Sequence, residues 1–309
     1  MINKKFKGEA ALLINTVIWG GTFVFIKDSL SSVTPMTFIF LRFTIAGVLF
    51  LLFYKKIFKE FNPKAITAGL ILGLLYFSGF ALQTMGLNTT SATKSAFITG
   101  TFVVFTPILQ IIISKRVPRR GNIIGIFLVL FGLILLSSKG DSWLSVIYEL
   151  GSTFSIGDYL TLICAILFSF YIIYLDRVSS RNYNYWLLVF LQIIVTAVGG
   201  FIFSFFNNVP YNFNDIVSNG NLVFALLYTS ILATIITTTL QTKFQKYVTP
   251  VKTSIIFSLE PIFASIFAYF IINEHITGFG FIGCILIFTG LLVSELMDNK
   301  KVLMSEQQS

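Results

Sequence analysis

Ten mostly apolar stretches, each of roughly 18 residues or more, run along this chain. They lie at about 9–27, 36–54, 65–84, 91–114, 121–138, 157–176, 185–206, 221–242, 250–272 and 277–297. Hydrocarbon holds no water to satisfy backbone N–H and C=O groups, so a segment crossing it must close its hydrogen bonds within itself, as a helix. The expected fold class is therefore all-α and integral to a membrane, with ten transmembrane helices. The first stretch follows Lys4, Lys5 and Lys7 and imitates a signal peptide. It lacks a small-residue cleavage site and outruns an h-region, so it is expected to be retained.

The net charge of +9 would suggest a nucleic-acid partner in a soluble protein, but its distribution argues against one. Of 22 Lys and Arg residues, 18 fall at the two termini or in the loops after the second, fourth, sixth and eighth stretches. Lys27, Lys94 and Lys139 are assigned to the other side, and Arg42 falls inside the second stretch. The positive-inside rule then places both termini in the cytoplasm. The partners expected are a lipid bilayer and a small-molecule substrate, not nucleic acid. Cys164 and Cys284 both lie within apolar stretches, so neither a disulfide framework nor a metal site is expected.

The chain also repeats itself. Leu82-Gln83-Thr84 recurs as Leu240-Gln241-Thr242, and the same spacing of 158 residues aligns Lys94 with Lys252, Gly125 with Gly283 and Gly132 with Gly290. A shorter spacing of 149 aligns Gly8-Glu9 with Gly157-Asp158, the difference fitting the longer loop Asn207–Asn221. Two repeats are expected, at 8–138 and 156–297, joined by the loop Lys139–Ser155 and followed by a polar tail at 298–309. Five spans per repeat is an odd number, so the halves should enter the bilayer in opposite directions. Lys94 would then mark one face and Lys252 the other. Inverted repeats are a recurrent plan of secondary transporters, with the substrate site near the midplane.

Several residues could build such a site. Of seven prolines, only Pro107 and Pro261 stand well inside apolar stretches, the fourth and ninth. Each should interrupt its helix and free carbonyls, although a packing kink is the plainer account. Glu260 precedes Pro261 and lies about 12 Å along a helix from Lys252, close to the midplane. A carboxylate there costs about 2.5 kcal/mol or more to insert, so it should face a cavity or a partner. It could be a counter-charge for a substrate ammonium, a proton-coupling group, or a cap for the freed backbone. Its counterpart in the first half is Phe102.

Gln83 and Gln241 can donate and accept, either to a substrate or between helices. Lys94 and Lys252 are expected to snorkel to the interface, and Arg42 to snorkel outward or pair with an acidic side chain, with binding a substrate carboxylate as the less favoured alternative. The glycines at heptad separation, with Gly121-x-x-x-Gly125 and Gly69-x-x-x-Gly73, suit close helix contacts within a monomer or across a homodimer. Gly278-Phe-Gly280-Phe-Ile-Gly283 fits the dinucleotide-binding pattern but opens an apolar helix instead of following a strand, so no nucleotide cofactor is expected. The lone histidine, His275, follows Glu274 in a short loop and reads as solvated.

With these residues in view, the chain resembles the EamA transporters of the drug/metabolite transporter superfamily. The resemblance rests on Ile18-Trp19-Gly20-Gly21-Thr22-Phe23 with Lys27, on Leu41-Arg42-Phe43, and on Ala96-Phe97-Ile98-Thr99-Gly100 through Pro107. It extends to Leu259-Glu260-Pro261, to Asn273-Glu274-His275, and to the Ile-Gly…Gly-Leu pattern of the fifth and tenth stretches. Lys115-Arg116 departs from the acidic pair that many first halves carry.

The resemblance implies a bacterial-type cytoplasmic-membrane carrier, not an enzyme, that moves small metabolites, often exporting amino acids or related compounds. It also implies a central cavity lined by Trp19, Gln83, Gln241 and Glu260, without cofactor or metal. Glu260 would bind a cation or proton, the glutamines would hydrogen-bond the substrate, and Trp19 would pack against it. Two rivals are a membrane-embedded enzyme on lipid-linked substrates and a non-transporting sensor. The first needs a polar cluster at one membrane face and the second a soluble domain. The sequence offers neither.

Overall fold

The computed structural model describes residues 2–54, 62–137, 155–181, 183–207, 213–273 and 277–306. Lys139, Glu274, His275, most of the joining loop and part of the loop after residue 207 lie outside them. The described chain is all helical. Its first half comprises α1 (Ile2–Ser29), α2 (Pro35–Phe53), α3 (Pro63–Thr89), α4 (Ala92–Gly100), α5 (Phe102–Ser114) and α6 (Arg120–Ser137). The second comprises α7 (Ile156–Ser179), α8 (Tyr185–Ser204), α9 (Phe213–Ser218), α10 (Gly220–Leu227), a π-helical segment Tyr228–Ile236, α11 (Thr237–Phe244), α12 (Pro250–Phe257), α13 (Glu260–Ile272) and α14 (Gly278–Glu306).

Among the described residues, 8 helical segments are long and apolar enough to cross a membrane. The fifth and tenth expected stretches are the shorter apolar helices Arg120–Leu136 and Gly278–Ser294. The tail expected beyond residue 297 continues α14 to Glu306.

Helix starts follow local chemistry. Thr34, Asn62 and Thr249 each cap a helix with a side-chain oxygen and are followed by proline, whose missing N–H costs nothing in the first turn. Ser155 and Asp158 form a reciprocal capping box at the start of α7.

The repeat is visible as local geometry. Ser91 caps α4 through the Lys94 N–H, and 158 residues later Thr249 caps α12 through the Lys252 N–H. α4 gives way to α5 at Thr101, and α12 to α13 at Ser258–Leu259, so Thr101 and Leu259 are repeat equivalents. Lys115 and Asn273, again equivalent, end α5 and α13 in the left-handed conformation. The interruption expected at Pro107 is therefore displaced. Pro107 stands inside α5, while Thr101 N–H bonds Ile98 O at 3.1 Å and Thr101 O takes the Val104 N–H at 2.9 Å. The ring crowds the preceding turn, and the chain yields upstream of it. Pro261 stands in the first turn of α13, directly after its break.

The glycine faces serve packing within the monomer. A Cβ on Gly132 would lie 2.7 Å from the Gly283 carbonyl oxygen, and one on Gly125 would lie 2.7 Å from that of Gly290. The earlier glycine of α6 meets the later one of α14, so these repeat-related helices run antiparallel in backbone contact. Gly69 and Gly73 of α3 accept Leu191 and Val195 of α8 in the same way.

The charged groups expected to snorkel are paired instead. Lys94 Nζ donates to Asp158 Oδ2 at 2.7 Å, and the fully buried Asp158 also accepts from Thr90 Oγ1 at 2.8 Å. Lys252, only 3% exposed, pairs with Glu9. Each pair joins one half to the first helix of the other, and Glu9 and Asp158 are themselves the aligned acids. A buried charge of either sign, Asp158 in one pair and Lys252 in the other, needs a partner, so pairing wins over snorkelling.

The pairs lie at opposite ends of the bundle. Lys27, at the far end of α1, caps α3 through Leu87 O (2.8 Å) and Asn88 O (3.2 Å), beside the Thr90–Asp158 contact. Glu9 lies about 27 Å away along α1.

Arg42 does not snorkel either. It is 1% exposed, with Nε donating to Thr234 Oγ1 (2.9 Å) and Nη2 to Ala233 O (3.0 Å). Its guanidinium lies over the Phe43 and Phe80 rings at 5.0 and 4.8 Å. Within the π-helical turn the Ala233 carbonyl accepts from both Arg42 Nη2 and Trp19 Nε1, and Arg42 Nε holds the neighbouring Thr234 hydroxyl.

Candidate functional site

Phe102 and Glu260 are the first residues of α5 and α13, so the two breaks bring equivalent positions to the middle of the bundle. Each lies about 12 Å along the chain from its repeat's paired lysine, Lys94 or Lys252. Between them opens a cavity with about 480 Å³ of atom-free space, part of it continuous with the outside.

All four side chains expected to line a site, Trp19, Gln83, Gln241 and Glu260, face this one cavity. Pro107 and Pro261 do not line it; their influence is on the backbone beside it.

Each lining group has a definite attachment. Trp19 Nε1 donates to Ala233 O (3.2 Å) and Thr237 Oγ1 (3.1 Å), turning its polar edge into the wall. Its ring meets Phe257 edge-on, with centroids 5.0 Å apart. Gln83 Nε2 donates to Thr99 Oγ1 at 3.2 Å, holding α3 to α4. Gln241 is 1% exposed and its Oε1 has no hydrogen-bond partner among the described residues. Glu260 is 8% exposed, and no hydrogen bond or ion pair joins its carboxylate to a described residue. It begins α13, where the helix dipole favours an anion.

Sequence reasoning missed the aromatic wall. Tyr76 and Phe80 of α3, and Phe168 and Tyr171 of α7, line the cavity beside Phe102 and Phe257. Tyr76 meets Phe80 edge-on at 4.6 Å, and Phe80 meets Phe168 at 5.3 Å. The hydroxyls point away, Tyr76 Oη sharing a hydrogen bond with Thr238 Oγ1 (2.7 Å) and Tyr171 Oη donating to Gln192 Oε1 (2.6 Å). Spacings of four and three residues, one helical face, were the available signal, but such aromatic pairs abound in this chain. Arg42's place behind the Phe80 ring, outside the cavity, left no such trace.

The model of the EamA-like transporter family matches residues 6–138 and again residues 155–296. The chain belongs to this family.

Relatives agree with that assignment. An uncharacterized transporter of Archaeoglobus fulgidus is 31% identical over 95% of this chain and 87% of its own length. The uncharacterized transporter YyaM of Bacillus subtilis is 26% identical over 92% of both chains. A crystal structure superposes with a TM-score of 0.74 over 94% of this chain and 98% of its own, at 16% identity, which speaks to the fold alone. This EamA-like protein is thus a multi-pass membrane protein of a transporter family, with an aromatic-lined cavity that Glu260 faces without an ion pair among the described residues.

Proposed function

We propose that this EamA-like protein is a secondary carrier that exports small metabolites, amino acids or related compounds, across the cytoplasmic membrane by alternating access. In this reading ten spans form two inverted five-helix repeats, 8–138 and 156–297, with both termini cytoplasmic. The observation that carries it is the pair of cross-half ion bridges, Lys94–Asp158 and Glu9–Lys252, at opposite ends of the bundle with the cavity between them. Two related halves joined at both ends can rock so that one end parts while the other stays closed, the motion expected of inverted repeats. The antiparallel contact of α6 with α14 supports the inversion. Glu260 is the group poised to carry a cation or proton, with Gln83 and Gln241 as hydrogen-bonding partners and Trp19 as a packing surface.

The test is counterflow in proteoliposomes with a panel of radiolabelled amino acids, amines and sugar phosphates. Exchange of at least one class is expected. A purified, folded protein that exchanges none of them would remove the carrier reading, since neither an enzyme nor a sensor exchanges solute.

A further inference from the structure

We infer that the substrate class of this cavity is, among the amino-acid-related compounds proposed above, a protonated amine with an apolar or aromatic body and no carboxylate, an inference that rests on the carrier reading but not on its amino-acid part. No cationic side chain lines the cavity among the described residues, and the donors there, such as the Gln83 and Gln241 amides, are uncharged. Among the described residues, Glu260 faces the cavity without an ion pair or hydrogen bond, and Gln241 Oε1 is buried without a partner. Burying a carboxylate and an amide oxygen unsatisfied is costly, so the missing component is a donor, preferably a charged one. An ammonium N–H satisfies both, and the tethered NH and OH groups of Trp19, Tyr76 and Tyr171 leave ring surface facing the cavity. Aromatic faces are electron-rich and hold organic cations.

The same inventory argues against a zwitterion. Among the described residues, Glu260 is the only Asp, Glu, Lys, Arg or His lining the cavity. The nearest buried cation described, Arg42, is screened by Phe80 and already donates to Thr234 and Ala233. An amino acid would bring its ammonium to Glu260 and leave its own carboxylate among phenyl rings without a counter-charge. A quaternary ammonium would satisfy Glu260 but leave Gln241 Oε1 without a donor. A primary or secondary amine, which carries two or three N–H groups when protonated, can donate to both.

The experiment compares probes that differ by one carboxylate, on the full chain in detergent and in proteoliposomes. Tryptamine and 2-phenylethylamine are set against tryptophan and phenylalanine, reading ligand-induced melting shifts and counterflow. The amines are expected to stabilise and exchange, with the amino acids weaker by about tenfold or more. E260Q should lose about tenfold or more in tryptamine affinity, and Q241L a smaller factor. Should E260Q fail to fold, Q241L and the wild-type preference for amine over amino acid decide.

Equal response to tryptophan and tryptamine, or unchanged tryptamine affinity in folded E260Q, overturns the inference. Exchange of amino acids with the amines inert sinks it while leaving the carrier reading intact. Exchange of no solute in the panel removes both.

Discussion

Lys94 and Asp158 form a 2.7 Å ion pair across the two halves of the molecule, and the acid is fully buried while the lysine is partly exposed. Its repeat equivalent, Glu9 with Lys252, reverses that distribution, with the lysine buried and the acid partly exposed. The buried member comes from the second half both times, so the two latches are related but not identical.

Under the proposed alternating access, removing one of these bridges should bias the protein toward opening at that end. Asp158→Asn and Glu9→Gln are each expected to shift the balance by about 1–2 kcal/mol, a five- to thirty-fold change in population. The shifts should have opposite directions. A cysteine at Thr22, which lines the cavity, reports this through labelling from each side of oriented vesicles. Identical labelling patterns in the two variants would contradict opposed latches.

Arg42 should matter for stability without touching the cavity. Arg42→Ala empties a buried volume beneath Phe43 and Phe80 and removes donors from Thr234 and Ala233. The cost is expected to be about 3 kcal/mol, measured as thermal unfolding in detergent. Arg42→Met keeps most of the volume and sheds the desolvated charge, so it should cost less. A Met variant as unstable as the Ala variant would show that the hydrogen bonds dominate.

The α6–α14 contact has no room for a side chain. Gly132→Val would drive atoms into the Gly283 carbonyl and Ile287, whose nearest atoms lie 2.7 and 2.8 Å from a Cβ. Loss of monodisperse protein, or destabilisation of about 1–3 kcal/mol, is expected. Gly220→Ala is the control, since nothing lies within 4 Å of a Cβ there and alanine favours a helix. Its melting temperature should hold or rise.

Glu260→Gln preserves shape at the cavity and removes the charge. Gradient-driven accumulation or export in proteoliposomes should be abolished. Wild-type rates at every pH tested would reject a coupling role.

Much of the site could be read from residue types because lipid punishes exceptions. A carboxylate or an amide in an apolar stretch must have a reason, which singled out Glu260, Gln83 and Gln241 before any coordinates, and all three face one cavity. Aromatic and aliphatic residues carry no such penalty. Phe80 lines the cavity and Phe43 is buried behind it, whereas Phe127 and Phe270 are largely exposed on the outer surface. A helix apolar on every side does not reveal which side meets lipid.

The chain's own order of residues determined the helical class, the duplication and the aligned lysines and acids, because hydrocarbon admits little but helices and a repeat is visible as spacing. Only the tertiary structure decided that Lys94 reaches Asp158 and Lys252 reaches Glu9, that Arg42 secures a π-helical turn, and that the fourth stretch breaks at Thr101 and not at Pro107. These outcomes depend on which helices become neighbours. That choice is made by steric fit and by the need to pair buried charges, and both act between residues far apart in the chain.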